Sequence, residues 1–323
     1  MMLHTPTFLS FTVLGLTAML VIQPAGDRSP APPRAAQPGT TPNPPVKQPK
    51  IVEPIKTSTV RDDTAAEKLG WRLGVQAWTF RDRSTEETID IAHRLGIKYI
   101  ELYSGQVISK SEPDVKVGVD LTAEQIASLR KKLADGGVKA VSFGVTGFKN
   151  DEKDARKTFE FAKAMGLENI ACEPDADAWD VLSKLADEYK INIACHNHPK
   201  PSRYWNPDTV LEAVKSRSSR LGACADTGHW KRSGLDPVAC LTKFSGRIFE
   251  LHFKDIKDDK DEPWGTGECD AKAMLGVLAK QGFKGAIFVE YESTEGKVLD
   301  ENVRKCVEFF DVTAAEIAGK TTK

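Results

Sequence analysis

Eight short apolar segments, each followed by a polar loop and a capped amphipathic stretch, lie between residues 70 and 318 and predict a closed (β/α)8 (TIM) barrel. Three observations support that expectation. The segments are of strand length and mostly apolar on both faces, as parallel strands covered by helices are. The stretches between them open on capping residues and close on glycines. The block has the size of eight strand–helix units, about 250 residues. An open, doubly wound sheet is the competing arrangement. It would carry a glycine-rich phosphate-binding fingerprint after its first strand, and LGVQAWTFRDRS has none.

Taken in order, the strands are expected at residues 73–80 (LGVQAWTF), 99–103 (YIELY), 140–145 (AVSFGV), 169–174 (NIACEP), 191–198 (INIACHNH), 221–227 (LGACADT), 248–254 (IFELHFK) and 286–292 (AIFVEYE). Ser84 with Glu87 and Thr122 with Gln125 have capping-box spacing, and Asn206-Pro207 and Asp236-Pro237 place a capping side chain before a helix-starting proline. Gly96, Gly136, Gly166, Gly246 and Gly282 follow apolar stripes such as Ile126, Leu129, Leu133 and precede the next strand.

The chain has 323 residues, 40% of them hydrophobic and 28% charged, so its bulk can bury a core. Lys and Arg number 45 against 46 Asp and Glu, a net charge of -1, and nucleic acid is not expected as a partner. Of the 18 prolines, 11 fall within the first 60 residues. The apolar run Phe8 to Ile22 is short for a membrane span of roughly 20 residues and suits the core of a signal peptide, although no Lys or Arg precedes Arg28. The expected organisation is a signal peptide or membrane anchor over 1–25, a Pro-rich disordered linker over 26–66 and the barrel over 67–323. Export to the periplasm or cell exterior follows from it, the anchor being the one expected membrane tether. Cys172, Cys195 and Cys224 sit inside apolar strand segments and are expected as free, buried thiols.

In such barrels chemistry gathers at the carboxyl ends of the strands. Gln76 and Trp78 end the first strand, Glu101 the second, Glu173 the fourth, His196 and His198 the fifth, and Asp226 followed by His229 the sixth. His252 and Lys254 end the seventh, and Glu290 and Glu292 the eighth. Side chains alternate along a strand, so His196 pairs in orientation with His198, His252 with Lys254 and Glu290 with Glu292. His196, Asp226, His252 and Glu290 come from four consecutive strands and form a candidate site for a divalent metal. Two imidazoles and two carboxylates suit Mn2+, Zn2+, Co2+ or Fe2+ better than Mg2+. A single strand-end histidine is ordinarily a hydrogen-bonded core residue, but ionisable groups ending five successive strands would be costly without a shared partner. The charged stretch Lys254 to Glu262 reads as a solvated loop, and Trp264-Gly265-Thr266-Gly267 as a turn or a ligand-contacting loop. Trp78, Trp205 and Trp230 could stack on a sugar face or fill the barrel mouth.

HNHP, DTGHW, HFKD, WGTG and FVEYE, in this order, resemble the xylose isomerase-like barrels known as sugar phosphate isomerases/epimerases. The resemblance covers about residues 70 to 315. It implies a metal held from strands five to eight, with Asp226, His252 and Glu290 as ligands and His229 in contact with substrate. His196 departs from the family's usual Glu. Glu173 then either joins the metal shell or acts as general base, and Glu290 bridges metal and substrate. Glu173, Glu290 and His198 are the expected catalytic groups, and Gln76, Trp78, Glu101, His229 and Lys254 the expected substrate contacts. The endonuclease IV-like branch needs more His and acidic ligands than this chain supplies. The implied activity is that of a metal-dependent isomerase or epimerase, and expected export together with the lack of a glycine-rich phosphate cradle favours a non-phosphorylated sugar as its substrate. A lyase or hydratase of a 3-keto-sugar or keto-glycoside is the alternative, and a non-catalytic sugar-binding barrel a third. Export is checked by mass spectrometry of the mature N-terminus, with a start after Ala25 or near Ala35-Ala36 as the expected outcome of processing.

Overall fold

The computed structural model describes residues 61–320. The apolar run 8–22 and the Pro-rich stretch up to residue 60 lie outside the described residues. Helix α1 (Thr64–Leu69) leads into β1 (Trp71–Gln76), a single 3-10 turn (Ala77–Phe80) and α2 (Thr85–Arg94). Next come β2 (Tyr99–Leu102), the hairpin of β3 (Val107–Ser109) and β4 (Glu112–Lys116), α3 (Ala123–Asp135), β5 (Lys139–Phe148) and α4 (Glu152–Met165). β6 (Asn169–Pro174), α5 (Trp179–Tyr189), β7 (Asn192–His196), α6 (Pro207–Val214), β8 (Leu221–Asp226), α7 (Thr227–Arg232) and α8 (Pro237–Lys243) follow. The chain continues through β9 (Ile248–Phe253), the hairpin of β10 (Asp255–Lys257) and β11 (Lys260–Glu262), α9 (Ala271–Lys280), β12 (Gly285–Val289) and α10 (Gly296–Lys320).

Eight of these strands close into a barrel in the order β1, β2, β5, β6, β7, β8, β9, β12 and back to β1, every pair parallel. Both capping boxes form, and Asn206 and Asp236 cap their helices ahead of the expected prolines. Leu129, Phe159, Leu182, Leu185, Leu275 and Phe310 are fully buried between strands and helices. Each such side chain stabilises the fold by about 1.5–3 kcal/mol relative to exposure. All six cysteines are buried free thiols.

Several boundaries differ from the sequence expectation. The segment expected as linker up to residue 66 already contains the start of α1 at Thr64, and Arg61 donates a 2.7 Å hydrogen bond to Asp311 on α10. The first strand ends at Gln76 because the Gln76 side chain accepts the Trp78 N–H and turns the chain into the 3-10 turn. β7 stops at His196, so His198 belongs to the following loop. The stretch Lys254 to Glu262 is a hairpin with Lys254, Asp255, Ile256 and Asp261 buried, not a solvated loop. Asp255 explains the motif after it. Its carboxylate accepts the backbone N–H groups of Gly265, Gly267 and Cys269 at 2.9, 3.0 and 3.0 Å, while Trp264 donates to the Phe253 carbonyl. WGTG is thus a turn tied to β9, and a Cβ at Gly267 would stand 2.3 Å from Asp255 Oδ1.

The barrel interior is not uniformly apolar. Glu250 on β9 accepts hydrogen bonds from Ser142 on β5 (2.9 Å) and Asn169 on β6 (2.8 Å), which reach it across the barrel. Burial, reinforced by the nearby Glu101 carboxylate, pushes the Glu250 carboxyl up to about 8. A carboxyl raised in the folded state contributes stability at low pH that is lost as pH rises through its folded value. Glu250→Gln stays neutral throughout. Its melting temperature is therefore expected to track the parent at about pH 4 and to pull ahead of it between about pH 4.5 and 8, by about 2–4 °C for each kcal/mol of stability the parent loses there, read by calorimetry. A difference that does not change with pH would contradict the neutral assignment.

Candidate metal centre

Four of the strand-end residues meet at the carboxyl end of the barrel. His196, Asp226, His252 and Glu290 each offer one ligand atom, all within 4.8 Å of one another. His196, Asp226 and His252 are buried, and Glu290 is 6% exposed. Register places them together, since Asp226 on β8 lies opposite His252 on β9 and Glu290 follows β12, which pairs with β9. No change of strand direction is needed to bring them to one point.

Three of the four commit part of the side chain elsewhere, and each of the four leaves one atom facing the common centre. His252 Nε2 lies 2.9 Å from Glu101 Oε2, so that nitrogen donates to the carboxylate and Nδ1 is the one left to face the centre. His196 Nδ1 lies 3.3 Å from Glu173 Oε1, leaving Nε2 to face the centre. Asp226 Oδ1 accepts the His229 N–H at 2.7 Å, as the cap of α7. The remaining atoms, His196 Nε2, Asp226 Oδ2, His252 Nδ1 and Glu290 Oε2, are buried and have no hydrogen-bond partner. Buried polar atoms are ordinarily satisfied, and four atoms that converge from four strands without an aligned hydrogen bond, two of them sharing the Lys254 ammonium, are what a further cation would satisfy. Two nitrogens and two carboxylate oxygens fit a divalent transition ion.

Charges around the centre are held by Lys254, which is 1% exposed. Its Nζ lies 2.9 Å from Asp226 Oδ2, 2.7 Å from Glu290 Oε2 and 2.7 Å from Glu292 Oε2, and only the last contact has hydrogen-bond geometry. Burial opposes that ammonium, but Asp226, Glu290 and Glu292 outweigh it and keep it charged. Burial likewise opposes ionisation of Asp226. His229 is itself driven neutral by burial, to about 2, so the Lys254 ammonium, together with the His196 imidazole, holds Asp226 well below the usual carboxylate range. Arg232 donates to His229 Nδ1 at 3.3 Å, which puts the proton of the neutral ring on Nε2, 3.5 Å from Asp226 Oδ2.

A second group sits on the rim. Glu173 Oε1 accepts from the His198 backbone N–H at 2.7 Å and meets His198 Nδ1 at 2.6 Å. His198 is half exposed, with Nε2 left for the mouth. Burial opposes ionisation of Glu173, and the two imidazoles more than offset it, holding the carboxyl well below its ordinary range. Trp78 is 41% exposed, its indole N–H bonded to Glu292 Oε1 at 3.1 Å and its ring against Tyr103.

Not every expected contact faces the mouth. Glu101 is fully buried with its two oxygens taken by Gln76 and His252, and Gln76 is spent on Glu101, the Gly144 carbonyl and the Trp78 N–H. Both lie beneath the metal centre and support it instead of touching a substrate. Trp230 is buried against Phe244, whereas Trp205 packs under Lys200 Nζ at 4.1 Å. One contributor was missed: Asn197 exchanges two 2.9 Å hydrogen bonds with the Asp226 backbone. Its signal was its place between the two histidines of HNHP. Glu101→Gln removes the carboxylate that sets the His252 tautomer and is expected to weaken Zn2+ or Mn2+ binding by about 10–100-fold in a chelator competition. Unchanged affinity would show that Glu101 does not orient the imidazole.

The chain matches the family model described as "Xylose isomerase-like TIM barrel" over residues 89–311. It is 27% identical over 130 residues to inosose dehydratase from Clostridium tetani, a match covering 34% of this chain and 44% of that protein. The chain thus spans less than half the length of that relative. Among solved structures, an uncharacterized protein from Parabacteroides distasonis is 35% identical with a TM-score of 0.63, over 75% of this chain and 98% of the other. The IolI protein with a bound zinc atom is similar in fold, with a TM-score of 0.59 at 17% identity, over 76% of this chain and 98% of that one. With the four ligand atoms converging at the carboxyl ends of a closed parallel barrel and the family model covering most of that barrel, the chain belongs to the xylose isomerase-like TIM barrel family.

Proposed function

We propose that this chain is an exported, divalent-metal-dependent isomerase or epimerase of a non-phosphorylated sugar, acting by proton abstraction beside a carbonyl. The observation that carries the reading is the set of four converging ligand atoms without a hydrogen-bond partner, one each from His196, Asp226, His252 and Glu290, next to a carboxylate–imidazole pair at the mouth. A divalent cation held by those four would supply Lewis-acid polarisation of the sugar carbonyl and acidify the adjacent C–H.

The chain's own groups handle the proton. Glu173 accepts a hydrogen bond from His198 Nδ1–H, so His198 Nε2 can accept or return a proton at the mouth. Glu290 follows β12, on a different wall from the loop after β7 that carries His198. Two proton-handling groups on separate walls suit removal of a proton from one face and its return to the other. His229 Nε2–H points toward the same centre as a neutral donor, and the exposed face of Trp78 suits stacking on a sugar ring. Glu173, Asp226, Glu290 and Glu292 ring the mouth, and Lys254 is already paired with three of them. A phosphate would meet net negative charge there, which favours a neutral sugar.

A second reading, elimination from a keto-sugar, is favoured by two observations. A half-exposed imidazole, His198, stands at the mouth with Nε2 uncommitted, and a protonated imidazole there suits donation to a leaving hydroxyl. The relative from Clostridium tetani is named a dehydratase. Incubation with free ketoses and keto-glycosides in deuterated water separates the two: exchange and a stereoisomeric product support the first, loss of water or of the aglycone the second. In either case His198→Asn is expected to lower kcat by about 10²-fold or more with KM little changed. Glu173→Gln is expected to act in the same direction. Full activity in the His198 variant would remove that imidazole from the reaction.

A further inference from the structure

The positions of Lys254 and the ligand oxygens raise a question that the metal reading alone leaves open. The two carboxylate oxygens that face the metal centre, Asp226 Oδ2 and Glu290 Oε2, are the same two that lie 2.9 and 2.7 Å from Lys254 Nζ. A metal bound by those oxygens and the ammonium would therefore draw on the same negative charge. Nothing about this lysine is loosely placed. Thr227 Oγ1 accepts the Lys254 backbone N–H and donates to the Lys254 carbonyl, both at 2.8 Å. Gly228 leaves room for the aliphatic stem, since a Cβ there would stand 2.7 Å from Lys254 Cβ and 2.9 Å from its Cδ. Two residues of the DTGHW motif thus fix a buried cation beside the Asp226 of that motif. Glu292 gives the ammonium its one aligned hydrogen bond, at 2.7 Å, and is itself held by the Trp78 indole.

We propose that Lys254 is a resident cation that competes with the metal for Asp226 and Glu290, and that Glu292 draws it aside so that both can be accommodated. The proposal rests on the reading that His196, Asp226, His252 and Glu290 hold a divalent metal. Lys254 then keeps the metal more weakly bound and leaves its carboxylate ligands less electron-rich, which strengthens the ion as a Lewis acid. Trp78 is tied to the same balance through Glu292, so a sugar stacked on that indole would touch the group that positions the ammonium.

The sign of the effect distinguishes competition from a structural role. Affinity for Zn2+ and for Mn2+ is measured by competition with a chromophoric chelator in the parent, in Lys254→Met and in Glu292→Gln. Lys254→Met removes the competing charge and is expected to tighten metal binding about tenfold, even though the metal-free variant melts lower because three carboxylates lose their counter-charge. Glu292→Gln keeps the ammonium but loosens its hold away from the shared oxygens, and is expected to weaken metal binding. A lysine that merely supports the ligands would give weaker binding in Lys254→Met, and that result, or no change, overturns the proposal. Glu292→Gln binding as tightly as the parent or more so also overturns it, and decides alone if Lys254→Met does not fold. A parent that takes up no metal sinks both this proposal and the reading beneath it. A parent that binds metal, with variants moving in the wrong direction, sinks this one only.

Discussion

Two buried imidazoles govern the arrangement at the barrel mouth. Each surrenders one nitrogen to a carboxylate, His252 to Glu101 and His196 to Glu173, and in doing so turns the other nitrogen toward a single point. That division of labour sets tautomer and ring orientation together, and it explains why the carboxylates under and beside the centre are needed in a barrel that would otherwise be filled with aliphatic side chains. The polar layer beneath, Glu250 with Ser142 and Asn169, extends the same logic one step deeper: groups that cannot reach water are given partners across the barrel.

The motifs divide the work of holding this centre. HNHP supplies a ligand, the Asn197 brace on the Asp226 backbone and the rim imidazole of His198. DTGHW supplies Asp226, the Thr227 clamp, the space at Gly228 and the neutral His229. HFKD supplies His252, Lys254 and the Asp255 anchor, which then folds the WGTG turn over β9. Most of these residues therefore act on one another, and carboxylates dominate the rim around them.

Strand order, closure and the four converging residues were legible in the sequence because they rest on short-range rules: apolar segment length, helix caps and alternation along a strand. What escaped depends on where chains stop and turn. Alternation placed His198 beside His196 on one strand, but the strand ends at His196, and the loop carries His198 out to the rim, where it binds Glu173. Alternation likewise brought Gln76 and Glu101 to the mouth. It could not show that bonds to each other, to the Gly144 carbonyl and across the barrel to His252 leave both side chains buried. The hairpin after β9 was hidden by its charge, because Asp255 and Asp261 look solvated in sequence and are buried only through bonds to loops distant along the chain.

The central claim is that His196 Nε2, Asp226 Oδ2, His252 Nδ1 and Glu290 Oε2 grip one divalent ion. Anomalous diffraction from a crystal equilibrated with Zn2+ or Mn2+ tests it directly. The expected result is one strong anomalous peak at about 2.0–2.2 Å from all four atoms. A map with no such peak, or with the ion held elsewhere by other side chains, would contradict it.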